Sequence, residues 1–380
     1  MDRVVPAEYS DEADVYELCS QQFSLERDRF ARLWEWMYLW NPAYRSGDPV
    51  GWKAERSGRL ISYLGAIPSW LCVGKEVVRA YLSTNYASRE GEGIVGLKLA
   101  RAFLETKGAI VMNGSANVAS TSIFGRLGCR VVPGVAATRY LFPLSTHPLK
   151  VILVRKLNNP RLGSLGRRRL RVAKAMARLA GPIAGPLLST AFGINQWRLK
   201  AVALHRKFSY EPLDQPGPEL SQIWELSRAM FPVSVRRDPA YIRWRFFEYP
   251  FPNLRVYMVS GCDGRQVAYF VLQRMTAYPA LRLLDLGYDP AKRDALSAAI
   301  LFTLCEVTAQ GSKLFVAWGH CATIDRELAR WVLLRQRLAV SPYMFRNNSN
   351  ADAGLLSNPS KWWWSACESD ISYDWSGGCQ

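Results

Sequence analysis

Hydrophobic and polar positions change period several times along this chain, and the changes recur. Apolar residues at Leu33, Trp34, Trp36, Met37 and Trp40 end at Asn41-Pro42, the pattern of an aromatic helix stopped by proline. The second half repeats it with Tyr241, Ile242, Trp244, Phe246 and Phe247 before Tyr249-Pro250. Each helix is followed by a hairpin signal: residues 51–67 turn at Ser57-Gly58, and residues 256–272 turn at Asp263-Gly264. Each half then offers another strand, a helix, a strand and a helix. In the first half these are 77–86, Val95 to Glu105, 108–114 and Ser120 to Leu127; in the second they are 281–289, Lys292 to Thr308, 312–319 and Asp325 to Arg337. Strands alternating with helices at this spacing predict an α/β (mixed α+β) fold, with a mixed sheet in each half.

The repeat divides the chain into units at 1–145 and 206–380, with a linker at 146–205. At 380 residues there is length for two domains. The formal charge of +17 is concentrated in one place: between Glu105 and Glu211 there is no Asp or Glu and there are 18 Lys and Arg, while the rest of the chain is neutral. The densest part includes Arg167, Arg168, Arg169, Arg171, Lys174 and Arg178, which would gather anions around it. The apolar run from Leu179 to Leu188 is too short to cross a bilayer, which takes about 20 residues. Three readings of this linker stay open: a helical connector with a solvated basic face, contact with an anionic membrane surface through residues 155–190, or contact with nucleic acid. The eight cysteines are scattered without a C-x-x-C pair, so free thiols are expected. The acidic N-terminus lacks the apolar run of a signal peptide, and a cytoplasmic protein, peripheral at the inner membrane if the linker docks there, is the expectation.

The chemistry-bearing signal is a strand, a Gly-rich turn, a helix, a strand, and then a loop carrying Asn. The turn reads Arg89-Glu90-Gly91-Glu92-Gly93-Ile94-Val95-Gly96 and runs into a helix. Glycines let a ligand approach the backbone closely, and the free N–H groups at a helix start attract anions. A diphosphate suits such a turn, and a plain structural turn is the other reading. After the next strand comes Gly114-Ser115-Ala116-Asn117-Val118-Ala119-Ser120, leading to Phe124, Gly125 and Gly128. No metal cluster, GxSxG, HExxH or GKS/T motif is present, and no metal is expected.

On these residues the chain resembles the GCN5-related N-acetyltransferase (GNAT) superfamily: Asn117, Ser120 and Gly128 fall on its Asn-x-x-Ala/Ser helix pattern. Trp34-Glu35-Trp36 ahead of Asn41-Pro42 resembles a bacterial branch found with cell-envelope and exopolysaccharide genes. The likeness covers roughly residues 5 to 140; the second half is a fainter copy, and Fem-type peptidyltransferases are also built from two such units. The resemblance implies two GNAT-like units, each a twisted mixed sheet flanked by helices. It also implies a V-shaped opening between the strand ending near Asn85-Tyr86 and the strand Ala109 to Asn113, where acetyl-CoA or another acyl-CoA would bind. Its diphosphate would sit on backbone N–H groups from Gly91 to Gly96, through Glu92, Gly93, Ile94 and Val95, with Arg89 beside them. Asn117 would touch the pantetheine, with Ser120 nearby; as a plain helix cap Asn117 needs no ligand.

The sequence departs from the family pattern at the turn and at the helix. Glu90 stands where relatives open the turn with a basic residue or Gln, unless Arg89 serves in a shifted register, and Val95 replaces the last Gly or Ala, with Gly96 next door. Phe124 stands where many relatives have the tyrosine that protonates the leaving thiolate. The strand before the turn carries no carboxylate, leaving Tyr81 and Tyr86 as the candidate catalytic residues, with core packing as their alternative. His320, and a tail with Trp362, Trp363, Trp364, Glu368, Ser369 and Asp370, are further residues for the groove between units; a structural histidine and a packed strand are the alternatives. The second half has no Gly-rich turn, so no cofactor is expected there. The function so implied is acyl-CoA-dependent N-acyltransfer to a small-molecule amine, an amino sugar or other envelope precursor. The rivals are a Fem-like transferase using aminoacyl-tRNA, and a non-catalytic, membrane-docked scaffold.

Overall fold

Two mixed sheets organise the chain. The computed structural model describes residues 2–23, 25–114, 118–135, 138–144, 208–276, 279–292, 294–319, 321–331, 334–337 and 343–369. The linker at 146–205, Asn117, His320 and Asp370 therefore lie outside the described residues.

The first half runs β1 (Arg3–Ala7), α1 (Glu12–Phe23), α2 (Arg27–Met37), β2 (Gly51–Arg56), β3 (Arg59–Val73), β4 (Glu76–Ser88), α3 (Val95–Leu104), β5 (Ile110–Asn113), α4 (Val118–Arg126), β6 (Arg130–Val131) and β7 (Thr138–Pro143). In α2 the buried Phe30, Leu33, Trp34 and Met37 form the stripe of an amphipathic helix. Gly58, at φ +75, closes the β2–β3 hairpin where the sequence has Ser57-Gly58.

The second half runs β8 (Phe208–Leu213), α5 (Pro218–Arg228), β9 (Val233–Val235), α6 (Pro239–Ile242), a π turn over Arg243–Phe247, β10 (Leu254–Gly261), β11 (Gln266–Met275), β12 (Ala280–Tyr288), α7 (Ala295–Ala309), β13 (Leu314–Trp318), α8 (Ala322–Trp331), β14 (Leu334–Arg337), β15 (Met344–Asn347), α9 (Ala353–Ser357) and β16 (Trp362–Trp363). Helix α7 is apolar nearly all round and correspondingly buried, packed on β11 and β12.

The halves do not map one to one onto the sheets. The seven-stranded sheet has the order β14-β7-β13-β12-β11-β10-β8, so β7 of the first half lies between two strands of the second. The nine-stranded sheet has the order β1-β2-β3-β4-β5-β15-β6, with β9 and β16 added beside β3; here β15 of the second half lies between two strands of the first. The sequence expectation of a unit ending at 145 and another beginning at 206 missed this reciprocal exchange, because strand partners cannot be read from hydrophobic period alone.

The two aromatic helices of the repeat meet. Trp36 and Trp244 stack with ring centroids 4.8 Å apart. Trp36 Nε1 donates to the Trp244 carbonyl at 3.0 Å, and Trp244 Nε1 donates to the Trp36 carbonyl at 2.6 Å. The bonds run in both directions, so each indole is tied to the backbone of the other residue.

Candidate active site

Strands β4 and β5 run parallel for only three residue pairs, Ala80/Ile110, Tyr81/Val111 and Leu82/Met112. Beyond them β4 continues to Ser88, β5 ends at Asn113, and the two part. The register between β3 and β4 also slips at this point, leaving Asn85 as an extra residue at φ +21. A bulge bends the strand that carries it and re-aims its side chains. Gly65 opposite makes room: a Cβ there would stand 2.7 Å from the Thr84 methyl. The Thr84 hydroxyl, on the stretch of β4 past the divergence, is buried without a hydrogen-bond partner among the described residues.

The Gly-rich turn follows β4 directly. Gly91 takes φ +81, which its lack of a Cβ permits. The expectation that every amide from Gly91 to Gly96 is available is too broad. Glu92 N–H bonds the Arg89 carbonyl, Val95 N–H the Glu92 carbonyl at 3.0 Å, and Gly96 N–H the Gly93 carbonyl at 3.2 Å. The amides of Gly91, Gly93 and Ile94 make no hydrogen bond to a described residue. Space is open around Gly91 and Gly93, and Ile94 is 82% exposed. Glu92 does not fill this space: its carboxylate takes two bonds, at 2.6 and 3.0 Å, from Arg56 at the end of β2. Sheet order puts β2 two strands away from the β4/β5 opening, so this charge is both paired and turned aside. Arg89 is tied down as well, its Nε donating to the Leu60 carbonyl at 2.8 Å and its guanidinium pairing with Glu17 at 3.2 Å.

Tyr86 lies over the start of α3, where a Cβ on Gly96 would collide with its phenol, and it is 41% exposed. Tyr81 is placed differently. It is buried among Val95, Leu99, Phe103 and Val111, on the opposite face of β4 from Leu82, with its hydroxyl 3.3 Å from Asp48. Burial pushes this phenol above its ordinary range. Phe124 packs in the same cluster, edge-on to Phe103. Ser120 is half-buried in the first turns of α4.

On the other face, where β4 and β5 part, is a narrow cleft of about 20 Å³ lined by Ile67, Pro68, Ser69, Leu82, Met112, Val235, Tyr241, Trp244, Cys367 and Glu368. The C-terminal tail closes one side of it: a Cβ on Gly114, just past β5, would stand 3.0 Å from the Glu368 carbonyl. Of the tail residues read from the sequence only Glu368 reaches this cleft, as its one carboxyl group; Trp362 and Trp363 form β16, packed beside β9, and Trp364 is buried with them. Arg237, fully buried, donates to Glu368 at 2.6 Å and to both oxygens of Asp285 on β12 at 2.9 and 3.1 Å. Burial pushes the Glu368 carboxyl up to about 7; the Arg237 charge opposes that shift and the Asp285 carboxylate adds to it. Sequence reasoning missed the Arg237–Asp285 pair. Its only signal was an Asp in the otherwise uncharged stretch 283–288.

The second sheet repeats the design without the turn. Strands β12 and β13 also pair in parallel over three residues and then part. There the Asp289 carboxylate accepts from the Ala291 N–H at 2.9 Å, so the backbone is capped by an anion of its own. Among the described residues no group of His, Cys, Asp and Glu is arranged to hold a metal ion.

A mixed sheet whose central parallel strands part beside a glycine turn, flanked by helices on both faces, is the GNAT-like acyltransferase fold. Three solved structures share it across 91% of this chain: a probable N-acyltransferase of unknown function from Enterococcus faecalis (TM-score 0.53, 11% identity) and GCN5-related N-acetyltransferases from Anabaena variabilis (0.55, 11%) and Kribbella flavida (0.51, 14%). The likeness covers 72%, 72% and 71% of those chains respectively. No protein-family model matches the chain, and no curated protein does.

Proposed function

We propose that the chain is an acyl-CoA-dependent N-acyltransferase. The observation that carries this reading is the opening between β4 and β5 with three bare amides, those of Gly91, Gly93 and Ile94, at the head of α3. An unpaired strand edge offers backbone groups to an extended amide-bearing arm such as pantetheine, and bare amides at a helix start suit its diphosphate. Acetyl-CoA or another acyl-CoA is the donor, and an amine is the acceptor. An amino sugar or other cell-envelope precursor is the acceptor class that the aromatic opening of the chain favours. Phe124 offers no proton, so the leaving thiolate takes one from elsewhere.

Gly93→Glu tests the turn. With nothing within 4 Å of its Cβ direction, the fold tolerates the side chain, and the added carboxylate meets the diphosphate instead. Acetyl-CoA affinity, read by native mass spectrometry or titration calorimetry on the full chain, should fall at least about tenfold. Undiminished affinity removes the turn from the site, and no acetyl-CoA binding by the unaltered protein removes the reading.

A further inference from the structure

We propose that Glu368 is the proton acceptor of acyl transfer, delivered by the tail of the second half into the gap that β4 and β5 leave in the first sheet. The inference rests on the acyltransferase reading and adds the group that reading lacks. An amine is protonated near neutral pH and cannot attack a thioester until a base takes its proton. Strands β3, β4 and β5 bring Ile67, Pro68, Ser69, Leu82 and Met112 to the cleft, none of which can serve. Of the cleft-lining groups from the second half, burial pushes the Cys367 thiol up to about 12 and raises the Tyr241 phenol well above its ordinary range. Glu368 alone among the lining residues is a carboxyl, and its backbone carbonyl sits against the end of β5 at Gly114.

Its surroundings hold it in place. Arg237 binds one oxygen, and Asp285 shares that guanidinium from β12. Tyr269 donates to Asp285 at 3.1 Å. Arg245, from the π turn, donates to the Cys367 carbonyl at 3.2 Å and fixes the backbone one residue before Glu368. Tyr343 also lies within electrostatic reach. Arg237 binds one Glu368 oxygen and Arg245 is engaged at the Cys367 carbonyl, so an incoming ammonium would meet the carboxylate through its other oxygen.

In the step, the Glu368 carboxylate takes one proton from the ammonium, and the freed lone pair forms the N–C bond at the thioester carbonyl. When the C–S bond breaks, its electron pair leaves on sulfur. The second N–H proton lost from the tetrahedral adduct converts the thiolate to a thiol, and Glu368 returns its proton to solvent.

The test needs no knowledge of the natural acceptor. Two thioether probes, S-aminopropyl-CoA and S-propyl-CoA, differ in carrying an ammonium or a methyl where the amine would stand. The unaltered protein should prefer the ammonium probe by about tenfold at about pH 8, the strength of one charge-assisted hydrogen bond. The preference should fade as pH falls through about 7 and be absent in Glu368→Gln, while S-propyl-CoA binds both proteins alike. Equal affinity of the two probes for the unaltered protein overturns the role of Glu368 and leaves the CoA site standing. Failure of both probes to bind overturns the acyltransferase reading itself. Should Glu368→Gln not fold, the pH dependence in the unaltered protein decides alone.

Discussion

Glu368 is a buried carboxyl that shares the Arg237 guanidinium with Asp285. Its pKa of about 7 in the fold, against an ordinary 4.5, has a thermodynamic sign. The folded protein binds this proton more tightly than the unfolded chain does, so the associated stability is complete below about pH 4.5 and is lost as pH rises through about 7. Glu368→Gln removes the charge while leaving Arg237 paired with Asp285. The variant should therefore melt higher than the unaltered protein at about pH 8, by roughly 2 °C for each kcal/mol recovered, with the gap closing at about pH 5. Scanning calorimetry at the two pH values checks this, and a variant that melts lower at pH 8 contradicts it.

At the scale of the element, the bulge in β4 is the feature on which the opening depends. Asn85 sits at φ +21, a conformation costly for branched side chains. Asn85→Val should destabilise by about 1–2 kcal/mol in urea unfolding, whereas Asn85→Gly should be close to neutral. Most of the elements themselves were legible in the chain. The Trp-rich helices, the Ser57-Gly58 and Asp263-Gly264 hairpins and the Gly-rich turn all announce themselves through local residues. The bulge does not, because nothing in Ser83-Thr84-Asn85-Tyr86 distinguishes an extra residue from a regular one. Tyr81 illustrates a different limit: a strand alternates its faces, and the sequence alone did not say which face meets the cleft. Arg237 and Asp285 are separated by 48 positions, and only packing joins them.

For the whole molecule, the interdigitated strands make each half incomplete without the other. Residues 1–145 alone would leave β15's place between β5 and β6 empty, and residues 206–380 alone would lack β7 between β13 and β14. Each fragment would then expose unpaired strand edges and the apolar surface beneath them. Expressed separately they should be insoluble or molten, and expressed together they should form a one-to-one complex, as size-exclusion chromatography and circular dichroism would report. Two separately soluble, folded fragments would contradict the exchange.

The same interlocking limits how the cleft can widen. Enzymes that close around a ligand commonly swing one lobe against another about a few flexible residues. Here such a swing would tear β7 from β13 and β14, or β15 from β5 and β6, breaking rows of ladder bonds at once. The bolted lobes leave small local shifts, at the turn around Gly91 and Gly93 and in the tail carrying Glu368, as the movements the strand exchange permits. A twist of one half against the other is thus replaced by motion of single segments around the cleft.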